Sequence, residues 1–352
     1  MKWTCSLLTA ALLLAGCGGG SEVVVYTSAD EHVARPIFER FERETGIHVA
    51  AKYDSEATKT TGLASLLRNE SSRPRADVFW SNEQMAVVAL ATEGLLVPSA
   101  DPAITAWPSK WRAQDGRWCA LAGRARVIVY APSRVSQPPV LWTDLIDPQW
   151  NNRIAMADPR FGTTRGHLGA MKVFWDTNAM PGYFEAWAEG LMENNPRMLT
   201  SGNAGVVDAV ARGEADIGLT DSDDVLAAQA RGMAVEMVLP RHARDPKRAG
   251  GGTLFIPNTI GVVAGAPHPE LAARFVAFML TAQTERQLAH MTAKHAPIAS
   301  PVEEGDFVVP DPLDVDASAA AAASEGAVNQ LMRVRELPER KPATRPALEE
   351  AN

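Results

Sequence analysis

The stretch VVVYTSADEHVARPIFERFERETGIHV, residues 23–49, decides the class of fold. Its first four residues are β-branched or aromatic, which predicts a short buried strand. Val33, Ile37, Phe38 and Phe41 then recur at helical spacing, so a helix is expected over 31–45, with Pro36 tolerated near its start. Gly46 supplies the left-handed residue that ends a helix, and 47–53 returns to strand character. A strand, a helix and a second strand within about 30 residues make a parallel βαβ unit.

The same grammar continues along the chain. Helices are predicted over 58–69, 83–93, 206–212, 223–231, 271–280 and 284–290, and strands over 76–80, 126–130, 153–156 and 215–219. Gly94, Gly213 and Gly232 close three of these helices. Alternation of this kind gives an α/β protein whose parallel-dominated sheets are covered by helices on both faces. The Trp- and turn-rich segment 107–118 reads as a crossing region, 317–335 as one further helix, and the charged, Pro-containing end of the chain as a disordered tail.

At 352 residues and 46% hydrophobic composition, the chain has material for two compact lobes. A net charge of −8 with scattered cations argues against a nucleic-acid partner. Residues 1–16 form a short positive start and an apolar run too brief to span a bilayer, which reads as an export signal. Leu14-Ala15-Gly16-Cys17 resembles a lipoprotein processing site, so Cys17 is expected to carry a lipid, with 17–21 as tether and the body in the periplasm or cell envelope, anchored to a membrane. Cys5 falls within the export signal, and the one cysteine left for the folded body, Cys119, reads as an apolar filler.

No standard catalytic motif is present. Polar clusters instead follow the strands and open the helices: 26–31, with Ser28 and Asp30; Ser81-Asn82-Glu83; 158–164, with Gly162, Thr163 and Thr164; 201–204, with Asn203; and 221–224, with Asp221 and Asp223. The segment 55–60, with Thr58, joins a strand to a helix start. Any one cluster is explained by helix capping, worth about 1 kcal/mol. In a parallel sheet, however, all these junctions meet at the carboxyl ends of the strands, where ligand crevices form, and helix starts there offer amide donors and a partial positive charge.

Four stretches taken together, 23–49, RADVFWSNEQMAVVALATEGLL, GNAGVVDAVARGEADIGLTDSDDV and NTIGVVAGAPHPELAARFVAFMLTAQTERQLA, resemble the ferric-ion-binding group of periplasmic solute-binding proteins that serve ABC importers. The resemblance implies two lobes closing on a ligand: 22–108 plus 252–304, and 109–251 plus 306–337, with 338–352 as the tail. It further implies a monomer that makes or breaks no bond, takes no catalytic cofactor and hands a small ligand to an ABC-importer permease. Asp30 matches the position of one metal ligand in that group; for a second, Glu83 matches in type and Asn82 lies nearer in register. Gly162, Thr163, Thr164 and Asn203 match the region that holds a synergistic anion. Where the group has two adjacent tyrosines, this chain has Ser222-Asp223, so Asp30, Glu83, Asp221 and Asp223 are the candidate metal set for Fe3+, with or without an anion. Other readings stay open: Asp221 as a helix cap beside a cleft for an anionic, phosphonate-like or other organic nutrient, an envelope hydrolase using paired carboxylates, or a sensory module. On the ligand reading, Asp221→Ala plus Asp223→Ala is expected to abolish binding and leave the melting temperature within a few degrees.

Overall fold

The computed structural model describes residues 21–54, 61–178 and 181–336, so Cys17, Thr58 and the 338–352 tail lie outside the described residues. The chain opens as expected, with β1 (Glu22–Thr27), α1 (Glu31–Thr45) and β2 (His48–Tyr53). Gly46 takes the left-handed conformation and donates its amide to Glu42 O, ending α1. Next come α2 (Thr61–Asn69), β3 (Val78–Ser81), α3 (Gln84–Thr92), α4 (Pro102–Ala106) and the long β4 (Cys119–Tyr130). Beyond it lie β5 (Ile154–Ala157), α5 (Gly162–Thr177), α6 (Tyr183–Glu193), β6 (Arg197–Leu199), α7 (Gly202–Ala211), β7 (Ile217–Asp221), α8 (Ser222–Ala230) and β8 (Glu236–Val238). The chain returns through β9 (Phe255–Val262), α9 (Pro269–Met279), α10 (Ala282–His290) and α11 (Ala317–Glu336).

The strands run in the order β2-β1-β3-β9-β4-β7-β5-β6, with β8 beside β4. The outer pairings, β1 with β2 and β3 and β5 with β6 and β7, are parallel, while β9 and β4 join the two halves antiparallel. One core gathers Val25, Ile37, Phe41 and Phe275 behind β1, with Phe41 edge-on to Phe275 at 5.0 Å. The other gathers Trp142, Trp175, Phe184 and Trp187, and α11 returns from the end of the chain to bury Leu331 in it. Both are two-sided α/β cores, as the strand–helix alternation predicts. Among the described residues no helix is long and apolar enough to cross a membrane.

Three differences from the sequence reading have physical causes. The crossing between halves is made by β4 and β9, not by 107–118, which forms loops and a short turn leading into β4. β9 hides from pattern reading because Pro257 and Asn258 interrupt its apolar run. α5 is disguised by Gly162, Gly166 and Gly169, residues that read as loop.

The crossing itself is tight and kinked. A Cβ on Gly123 would meet the Phe255 ring at 2.5 Å and Ile256 O at 2.8 Å, so only glycine lets the strands pass. The register shifts between Leu121 and Gly123, and Ala122 sits there with φ 37°. A non-glycine residue in that region costs roughly 1–3 kcal/mol and persists only where its surroundings hold it.

Candidate ligand-binding cleft

β4 carries the feature that sequence reading missed. Its residues Cys119-Ala120-Leu121-Ala122-Gly123-Arg124-Ala125-Arg126 are buried throughout, so Arg124 and Arg126, two apart, bring two guanidiniums to one face of a buried strand. The signal was there to be read: two cations alternating inside an apolar run need buried partners. Asp221, 1% exposed at the end of the adjacent β7, is that partner. Its Oδ1 accepts from Arg126 Nη1 at 2.9 Å, and its Oδ2 from Arg124 Nε at 3.1 Å, Thr163 Oγ1 at 2.8 Å and Asn203 Nδ2 at 2.9 Å. Arg126 also donates to Thr164 Oγ1 at 2.9 Å and Asn203 Oδ1 at 3.0 Å.

This network corrects the reading of Asp221. Its side chain makes no cap bond to α8, and its oxygens are saturated by protein donors. It is the electrostatic keystone under the cleft, and it welds β4, β7 and the starts of α5 and α7 together. Thr163, Thr164 and Asn203 share that work while also lining the cleft. Burial opposes the charge on Arg124, but Asp223, Asp221 and Asp224 outweigh it and hold its pKa above that of an ordinary arginine.

Above the network opens a cleft of about 710 Å³. Asp30 lines it from the start of α1, Asn82 from the end of β3, and Gly162, Asn203, Asp223 and Asp224 from the starts of α5, α7 and α8. The helices α1, α5, α7 and α8 all begin without a side-chain cap bond, so their first amides are not closed off by a cap residue. Oxygens of Asp221, Asp223 and Asp224 come within 4.8 Å of one another, and Arg124 Nε lies 3.3 Å from Asp223 Oδ2. Among the described residues no tyrosine lines this space; carboxylates, the guanidiniums of Arg35 and Arg124 and the His32 imidazole are its chemistry.

Two predicted site residues lie elsewhere. Ser28 is buried behind the wall, bonded to Ser81 Oγ at 3.2 Å and to Asn82. Glu83 is the N-cap of α3, accepting from Met85 N at 2.6 Å and Ala86 N at 3.0 Å, and it does not line the cleft. A Glu two residues before an available amide serves its own helix first, which is why position in sequence misled. Burial raises its pKa to about 7, against the pull of the Ala86 and Met85 amides. Cys119 is 1% exposed, and burial raises its thiol to about 12, as expected of a filler.

Glu83 instead faces α5 across a fissure. A Cβ on Gly166 would stand 2.9 Å from Glu83 Oε1 and 3.1 Å from Met85 Cγ. Gly166→Ala therefore wedges the two halves apart, while removing a mid-helix glycine favours α5 by up to about 1 kcal/mol. Small-angle X-ray scattering of the ligand-free variant is expected to give a larger radius at a melting temperature no lower than wild type.

One turn beyond Thr163, His167 Nε2 meets His242 Nε2 at 2.9 Å, and His242 Nδ1 donates to Gly252 O at 2.6 Å. Burial drives His242 down to about 4 despite that carbonyl, with Arg241 adding to the fall; His167 is lowered by burial, then by His242 and Arg126. Both are neutral in the fold. The unfolded chain binds these protons more readily, so the pair's contribution is complete above about pH 6.5 and is lost as pH falls toward 4, about 3 kcal/mol for His242. Glu83 runs the other way: its contribution is complete below about 4.5 and lost as pH rises through 7. In melting curves from pH 7 to 4, His242→Gln is expected to lose less stability than wild type over the same interval.

Comparison with known proteins places this geometry. The family described as bacterial extracellular solute-binding protein matches residues 23–291. The major ferric iron-binding protein of Neisseria meningitidis is 28% identical over 298 residues, covering 82% of this chain and 84% of that protein. Iron-bound HitA from Pseudomonas aeruginosa shares the fold with a TM-score of 0.72 at 22% identity, over 89% of this chain and 99% of that one. AfuA from Actinobacillus pleuropneumoniae, with fructose-6-phosphate bound, does so with a TM-score of 0.74 at 19% identity, over 90% and 99%. The resemblance to the ferric-ion-binding group and the two-lobe fold are both borne out, and the chain belongs to the bacterial extracellular solute-binding proteins.

Proposed function

We propose that this protein captures ferric iron, together with an anion, between its lobes and delivers it to the permease of an ABC importer. The observation that carries the reading is the carboxylate cluster of the 221–224 loop, opening into the same cleft as Asp30. A hard trivalent cation favours such oxygen donors. Asp30, Asp223 and Asp224 are its ligands, while Asp221 stays with the arginines. The anion sits on the amides at the starts of α5 and α7, beside Arg124, and neutralises part of the metal's charge. The relatives named for ferric iron support this cargo.

Closure about the β4–β9 crossing follows from the ligand's greater affinity for the closed form. The lobes are 22–108 plus 252–304 and 109–251 plus 306–337. Lipidation at Cys17 keeps the body at the envelope membrane, and the protein acts without bond chemistry.

A second reading rests on Arg124 and the absence of phenolates from the cleft lining among the described residues: an organic phosphate or phosphonate held by Arg124 and the helix starts, its amine or hydroxyls on the aspartates. AfuA, recorded with fructose-6-phosphate, gives this reading a parallel in fold. Native mass spectrometry and elemental analysis of protein purified without chelators separate the two. Stoichiometric iron supports the first. A bound organic phosphate with no metal replaces it with the second.

A further inference from the structure

A line of buried polar groups runs from the cleft to the kink in β4. At the cleft end, Asp223 Oδ2 lies 3.7 Å from His295 Nε2. His295 is 3% exposed and arrives from the segment after α10, whose Leu288 lies in the core behind β1, whereas Val225 and Ala228 of α8 lie in a separate core with Val127 and Val129. At 2.9 Å its Nδ1 meets Asn258 Nδ2, and that same amide nitrogen lies 3.2 Å from Ala122 O. A carbonyl can only accept, so the Asn258 atom facing it is the NH2 group. His295 Nδ1 therefore accepts the other amide proton, and the imidazole proton sits on Nε2, aimed at Asp223.

The far end is held as firmly. Glu285, fully buried on α10, accepts from Ala122 N at 3.1 Å, Ile298 N at 3.0 Å, Ala299 N at 3.1 Å and Ser300 N at 2.7 Å. One carboxylate thus fixes both the strained Ala122 peptide and the segment that carries His295. Ala122 is the kink of the strand that crosses between lobes, the place where a hinge must bend.

We propose that His295 is a positioning residue: an interlobe latch that attracts Asp223 across 3.7 Å, draws the ligand-free cleft toward closure and, through Asn258, ties the state of the cleft to the Ala122 hinge. The proposal rests on the cleft being the ligand site. Closure by about 1 Å brings His295 Nε2 to hydrogen-bond distance of Asp223. A cation that draws Asp223 to itself weakens that attraction, so occupancy at the cleft is felt at the hinge. Nothing in the ligand set requires His295 itself.

The test is small-angle X-ray scattering of the full chain without ligand. His295→Ala and Asn258→Ala are expected to enlarge the radius of gyration by on the order of 1 Å, as for a modest hinge opening. His295→Gln, which places an N–H near the position of Nε2, is expected to return it toward wild type. A merely structural role would lower the melting temperature of all three without this pattern. Equal radii in wild type, His295→Ala and Asn258→Ala would overturn the latch, as would a His295→Gln protein as open as His295→Ala. Should His295→Ala not fold, Asn258→Ala carries the same comparison. Ferric citrate added to wild type judges the cargo separately, because the ligand-free radii do not depend on it.

Discussion

Asp221→Ala is expected to destabilise the protein by about 3–5 kcal/mol, the loss seen when one member of a buried ion pair is removed. For a chain of this size that is a fall of about 10 °C in melting temperature. Asp221 is enclosed by Arg124, Arg126, Thr163 and Asn203, and without it Arg126 has no carboxylate among its hydrogen-bond partners. The expectation from sequence, that Asp221→Ala combined with Asp223→Ala would leave melting within a few degrees, is therefore replaced. Thermal or urea unfolding checks it. A companion variant, Asp221→Ala with Arg126→Met, is expected to regain part of the loss, since a missing charge pair costs less than a half-removed one. Melting of Asp221→Ala close to wild type would show that the network does not carry the fold.

The second large effect is on binding. Asp223→Ala with Asp224→Ala is expected to weaken ferric iron binding by at least about 100-fold, roughly 3 kcal/mol, with a melting temperature near wild type. Both residues lie in the first turn of α8 and are only partly buried, and Arg124 keeps its bond to Asp221 in their absence. Competition titration against a chelator of known affinity measures the change. An unchanged Kd would remove iron coordination from this loop and return the two aspartates to complementing the α8 dipole.

The two variants separate what a sequence merges. Asp221, Asp223 and Asp224 stand together in a single acidic run and all line the cleft, yet the first is enclosed by Arg124 and Arg126 while the others are only partly buried. Residues 23–53 were legible because the strand, the amphipathic helix and Gly46 all pointed to the same local structure. The gathering of Asp30, Asn82, Thr163, Asn203 and Asp223 into one cleft was legible too, since parallel topology alone brings the junctions together. The role of Asp221 was not, because it depends on Arg124 and Arg126, about a hundred residues away in sequence and opposite it only in the β4–β7 register. Glu83 was misplaced for the reverse reason: a local demand, the open amides of α3, outweighed the distant cleft. Ser28 likewise went to Asn82 and Ser81, neighbours that only strand pairing supplies.

Diffraction at the iron absorption edge, from crystals grown with ferric citrate, tests the central claim most directly. The account predicts an anomalous peak in the cleft within coordinating distance of Asp30, Asp223 and Asp224, with Asp221 still bound by Arg124 and Arg126. A cleft without iron, or an Asp221 turned from the arginines onto the metal, would contradict it.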